Sequence, residues 1–149
     1  MQVRIVRLIV LIFLFSGCLN EPDCVPNNTN VVKIAFKINS KTPREITFNE
    51  ITVSGLDKKF YVGAKVSSVA LEVSTIEPET TLTFKFENRT ETMILSYDMV
   101  SRVISPDCGA FLYHENLTVK ETTFESESVI IVNNQLLANA TSNIEVYIQ

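Results

Sequence analysis

From Val32 to Asn39 the chain alternates strictly: Val32, Ile34, Phe36 and Ile38 fall on one side, and Lys33, Ala35, Lys37 and Asn39 on the other. Only an extended strand with one buried face gathers every second residue, because successive side chains of a strand point to opposite faces. A helix would scatter the same residues around its circumference. The pattern returns in Leu82, Phe84 and Phe86 against Thr83, Lys85 and Glu87, and in Ile144, Val146 and Ile148 against Glu145 and Tyr147. Strands of this kind need a second layer to cover their apolar faces, so the alternation constrains the fold more than any other feature.

The segments between them fit the same class. Between Ile46 and Gly55 the parity slips: Ile46 and Phe48 share one phase, Ile51 and Val53 the other. An extra residue near Asn49-Glu50 restores it, either as a bulge or as a break between two short strands. Residues 59–62 and 68–73 read as strands around Gly63, and Glu77-Pro78-Glu79 marks a turn. Glu87-Asn88-Arg89-Thr90 joins the strand ending at Phe86 to residues 93–97 as a hairpin. Residues 100–104 predict a short strand before the turn Ser105-Pro106-Asp107-Cys108-Gly109, and residues 111–120, 128–132 and 143–148 complete the set. Thr, Val, Ile and Phe suit pleated, half-buried surfaces. About nine short strands spaced by turns predict an all-β chain, a single antiparallel β-sandwich of immunoglobulin-like type, with a barrel as the alternative. An outer-membrane barrel is set aside, since the strands are short and no aromatic girdle is visible.

The N-terminus reads as an export signal over residues 1–17: Arg4 and Arg7, an apolar core from Leu8 to Phe15, then Ser16-Gly17. The core is eight residues long, against the roughly 20 that a spanning helix needs. Leu14-Phe15-Ser16-Gly17-Cys18 resembles a bacterial lipobox, departing from it at Phe15, and the resemblance implies lipidation of Cys18. The competing reading is a plain secretory signal with an incidental cysteine. Residues 18–29 are then the lipidated cysteine and a tether, and residues 30–149 the sandwich. Leu19 stands where some lipoproteins carry an Asp that retains them in the inner membrane, which points to the outer membrane.

Cys24 and Cys108 suit an oxidising compartment and are expected to form a disulfide. Closing a loop of about 85 residues is valued at roughly 4–5 kcal/mol in the chain-entropy model. A free buried Cys108 is the alternative. Without the first 17 residues the chain carries 11 basic and 17 acidic residues. That net charge of −6 opposes nucleic-acid binding, which needs a cationic face.

Chemistry is thinly represented. The only histidine is His114, and the phase shared by Phe111, Tyr113, Leu117 and Val119 puts it on the wetter face with Asn116 and Thr118. No Gly-x-Ser-x-Gly elbow accompanies it. One His and three scattered Cys make no zinc site, the pair Asp23 and Asp107 lacks calcium-loop spacing, and four glycines form no phosphate cradle. No catalytic residue, metal or cofactor is therefore expected. With no Trp in the chain, Tyr61, Tyr113 and Tyr147 are the candidate ligand contacts, Tyr147 because it lies opposite Ile144, Val146 and Ile148 in phase. A solitary surface tyrosine is the plainer reading of each.

Cys18, Cys24, Leu95-Ser96-Tyr97, Ser105, Cys108-Gly109, the aromatic strand through Phe111 and Tyr113 and the closing Ile144-Glu145-Val146-Tyr147-Ile148 resemble a family of small lipoproteins of unknown function from Bacteroides-like Gram-negative bacteria. The likeness implies a lipid-anchored, disulfide-closed β domain and brings no activity or ligand. The expected role is structural or protein-binding, in a non-enzymatic envelope lipoprotein held to the outer membrane by its lipid and facing the periplasm. Its expected partners are the membrane and envelope proteins. A glycan- or small-ligand-binding lipoprotein serving uptake is the alternative.

Overall fold

The alternation seen at Val32 becomes packing in the computed structural model, which describes residues 24–25, 27–125 and 128–148. Among them lie eleven strands and no α-helix: β1 (Val31–Lys37), β2 (Ile46–Thr47), β3 (Glu50–Val53), β4 (Lys59–Phe60), β5 (Lys65–Val66), β6 (Ser68–Glu72), β7 (Glu79–Lys85), β8 (Thr90–Ser105), β9 (Gly109–Thr122), β10 (Val129–Ile131) and β11 (Ile144–Tyr147). β1 buries Val32, Ile34 and Phe36 completely and leaves the residues between them half-exposed. Each such burial contributes about 1.5–3 kcal/mol relative to leaving the side chain in water.

Two sheets carry the core, one of order β10-β11-β1-β6 and one of order β4-β3-β7-β8-β9. The first turns Val69, Leu71, Ile144 and Val146 inward beside the β1 residues; the second turns in Ile51, Val53, Leu82, Phe84, Met93 and Leu95. Rings join the layers: Phe36 meets Phe84 edge-on at 6.3 Å, and Phe48 lies 5.3 Å from Phe36 and 6.1 Å from Phe84. Such offset and edge-on pairs suit the ring quadrupole. The molecule is thus the all-β sandwich expected, with no closed barrel. The parity slip at Asn49 is a break: β2 leaves to pair with β5, and Phe48 fills the core between β2 and β3.

Three features depart from the expected pattern. There are eleven strands among the described residues rather than nine. The pair β1–β11 is parallel, Ile34 opposite Ile144 and Phe36 opposite Val146, which is possible because nearly the whole chain serves as its crossover. Residues 93–97 and 100–104 form one strand, β8, of 16 residues.

That long strand has two parts. β7 accompanies β8 only as far as the pair Glu79–Ser96, whereas β9 continues to Ser105 opposite Gly109. Tyr97 N–H still donates to Pro78, and Tyr97, Met99 and His114 still pack on the core; beyond Met99 the two strands form a ribbon whose residues 101–104 are exposed. Gly109, at φ +71°, starts the return strand after the turn, a backbone conformation that favours glycine. Register shifts at Ile94/Leu95, Ser96/Asp98 and Val103/Ser105 interrupt the ladder, and such irregularities bend and twist a ribbon.

Candidate functional site

The sheet orders end in β9 and β10, and these two edges flank a cleft of about 570 Å³ lined by residues 118–122 of β9 and by β10. Among the described residues no strand pairs with the outer side of β9 over residues 118–122. Farther along β9 that side is occupied, because Leu117 N–H donates to the Asn134 carbonyl and Leu136 N–H to that of His114. Ile130 and Val132 beside the cleft are exposed. At its rim Lys120 Nζ meets Glu79 Oε1 at 2.6 Å, and that hydrogen bond holds the ammonium pKa above its ordinary value. An open edge offers unpaired N–H and C=O groups to another strand.

The three tyrosines do not converge on one pocket. Tyr61, at φ +51°, accepts a 2.8 Å hydrogen bond from Ala70 N–H and so fastens the turn after β4 onto β6. Tyr113 lies on the ribbon under the Arg102 guanidinium, 5.1 Å from its ring centre. Tyr147 lines a second cleft, of about 330 Å³, with Arg89, Glu91, Thr123 and Ser128. Its hydroxyl donates to Glu145 Oε2 at 2.7 Å, an interaction that raises the phenol pKa and, after the larger effect of Lys37, helps lower that of the carboxyl. Thr123 Oγ1 donates to Glu91 Oε2 at 2.5 Å and Arg89 stacks on Phe86, so the polar groups of this cleft are already engaged.

His114 corrects the expectation of a solvent-facing side chain. It is 3% exposed, 5.3 Å from the Tyr97 ring, with Nε2 3.3 Å from the Ser74 carbonyl. A carbonyl only accepts, so Nε2 carries the proton and Nδ1, which is buried without a partner, keeps its lone pair. Burial pushes the imidazole pKa below its ordinary value, against smaller opposing pulls from the Ser74 and Thr29 backbone. Tyr97 shares the site: its hydroxyl donates to the Ser74 carbonyl at 3.0 Å and lies 2.7 Å from Thr80 Oγ1. The strand departs from simple alternation because Asn116 sits at φ +53°, where β9 is irregular, and both His114 and Leu117 turn inward.

Cys24 and Cys108 are joined, with S–S 2.05 Å and Cα–Cα 5.5 Å. The bond ties the start of the described chain to the tip of the ribbon. From there the chain runs back along β9: Asn28 Nδ2 donates to the Leu112 carbonyl, and Thr29 N–H to Leu136. Residues 27–29, expected as tether, are therefore pinned to the body. Residues 1–17, expected as an export signal, Cys18, expected to be lipidated, and Asp23 lie outside the described residues.

No curated protein and no solved structure matches the chain. A model of a family of unknown function, DUF6452, matches residues 49–148, from the residue before β3 to the residue after β11, with Cys108 inside the match and Cys24 before it. The chain belongs to that family of unknown function, DUF6452.

Proposed function

We propose that this protein is a lipid-anchored component of the cell envelope whose β domain binds another protein along its open sheet edges. The observation that carries the reading is the cleft between residues 118–122 of β9 and β10, two edges that no described strand pairs, with the exposed side chain of Ile130 beside it. An extended partner segment adding to either edge gains backbone hydrogen bonds, and its alternate side chains enter the apolar cleft. The anchor is Cys18, acylated after removal of residues 1–17, and Leu19 after it directs the protein to the outer membrane, facing the periplasm. The role is read as non-enzymatic, a reading supported by the burial of the single imidazole, 3% exposed, against Tyr97 and the Ser74 carbonyl.

The test is site-specific photocrosslinking in intact cells from Thr118 and Ile130, with Val62 as a reporter elsewhere and a Cys18→Ser chain lacking the anchor. Discrete protein adducts from Thr118 and Ile130, absent from Val62 and diminished in Cys18→Ser, are expected. Equal adducts from all three positions, or glycan without protein, overturn the reading.

A second reading, glycan or small-ligand binding for uptake, draws on the cleft at Tyr147, where a ligand would take the place of the present partners of Tyr147, Arg89 and Glu91. Chemical-shift changes confined to Tyr147, Arg89 and Glu91 on adding envelope glycans, and lost in Tyr147→Ala, would support it.

A further inference from the structure

The ribbon end combines features that partner binding at the sheet edges does not use. Val25 is 80% exposed, Val103 76% and Ile104 49%, all close in sequence to the Cys24–Cys108 bond. Val103 and Ile104 stand at the irregular end of β8, where Val103 pairs with Ala110 and Ser105 with Gly109, and with Val25 they leave three apolar side chains exposed close in sequence to the bond.

The chain before Cys24 indicates what covers them. Cys24 stands six positions after Cys18, and six residue steps fully extended span at most about 22 Å. If Cys18 carries the acyl chains, as the function proposed above requires, the disulfide holds the ribbon tip within that distance of the bilayer. Asp107, the one charged residue of the turn, is exposed, and the turn backbone needs hydrogen-bonding surroundings. These features limit entry to headgroup depth. Farther back, Tyr113 under Arg102 presents an amphipathic ring with a cation beside it, the kind of residue that gathers at membrane–water interfaces.

We propose that the tip of the β8–β9 ribbon, with Val25, Val103 and Ile104 around the Cys24–Cys108 bond, is a lipid-contacting surface that enters the interfacial layer of the membrane holding Cys18. The apolar tip then adds to the hold of the acyl chains and fixes the orientation of the sandwich, ribbon end inward. Val62 marks the other end of the five-stranded sheet, since Gly63 N–H donates to Asn49, whose own N–H donates to Lys85.

The absence of Trp makes the test direct. The full chain, purified with its native N-terminal modification, carries a single reporter in turn: Val103→Trp, Ile104→Trp or Val62→Trp. Each is reconstituted on vesicles of phosphatidylethanolamine and acyl-chain-brominated phosphatidylcholine, and the mass of the N-terminal peptide is measured in the same preparation. Blue-shifted, bromine-quenched emission from Val103→Trp and Ile104→Trp, with unshifted and unquenched emission from Val62→Trp, is expected. An acylated, vesicle-bound chain with unquenched emission from Val103→Trp and Ile104→Trp overturns the tip contact and leaves the anchor standing. An unmodified Cys18 overturns the anchor, and the tip contact with it.

Discussion

At His114 the fold has placed its only imidazole where a positive charge is costly, against Tyr97 and with one ring nitrogen unpartnered. Its pKa in the folded chain is below the ordinary value near 6.5, so in that range the unfolded chain binds more protons than the folded one. Stability therefore rises with pH there. The contribution is whole above the unfolded value and is lost as pH falls through the folded one. Glu50, lowered by Lys59 and Lys85, and Glu145, lowered by Lys37 and Tyr147, act in a separate window, losing their contribution as pH falls below the ordinary value of 4.5. Urea unfolding at about pH 8 and about pH 5.5 brackets the imidazole and not the carboxylates. The native chain should lose stability between the two, whereas His114→Phe, which fills the slot, and His114→Gln, which still donates to Ser74, should show a smaller loss. An equal pH dependence in all three chains would show that His114 does not titrate against folding.

Among the elements, β9 depends on one residue for its phase. Asn116 is left-handed at φ +53°, its Nδ2 donating to Asp98 Oδ2 at 2.7 Å, and the strand buries His114 on one side of it and Leu117 on the other. A left-handed β-branched residue costs about 1–2 kcal/mol, so Asn116→Val should lower unfolding stability by about that amount while Asn116→Gly stays near the native value. Equal stability of the two variants in urea would show that the conformation is not under strain. The same residue explains what the sequence could and could not convey. β1, β7 and β11 were legible because their alternation is unbroken, and the break at Asn49 because parity itself records it. At Asn116 the parity of Tyr113 and Leu117 looked continuous while the backbone changed phase between them. Phe124 and Leu136 were missed as core residues because they lie outside the strands, where no period marks them. The open-edged cleft depends on strand order, a product of long-range pairing that no local pattern carries. The cysteine pair was legible because compartment and count argue for it before any geometry is known.

For the molecule as a whole, the Cys24–Cys108 bond encloses β1 to β8 in one covalent loop, with a sequence separation of 84 residues. Loop entropy alone values such a bond at roughly 4–5 kcal/mol of global stability. The bond, however, does not fasten the two core sheets together. It fastens segment 24–29 to a ribbon that has left its sheet, and a two-stranded ribbon alone is marginally stable in water. Interlocked rings at Phe36, Phe48 and Phe84 hold the layers without it. Replacing both cysteines, as Cys24→Ser with Cys108→Ser, should therefore leave the sandwich folded but less stable by about 2–4 kcal/mol. The amides of residues 100–105 and 109–113 should lose most of their protection from hydrogen exchange, more than those of Ile34, Leu82 or Ile144. Their strand pairing is with each other, and among the described residues Asn28 at Leu112 then holds the chain after Cys24 to that stretch. Exchange that accelerates by the same factor everywhere would mean that ribbon and sandwich unfold as one unit, with the bond acting on the unfolded chain. Selective loss at the ribbon would mean that the bond acts on the folded chain, keeping the tip in place beside Cys24, six positions after the cysteine proposed to carry the anchor.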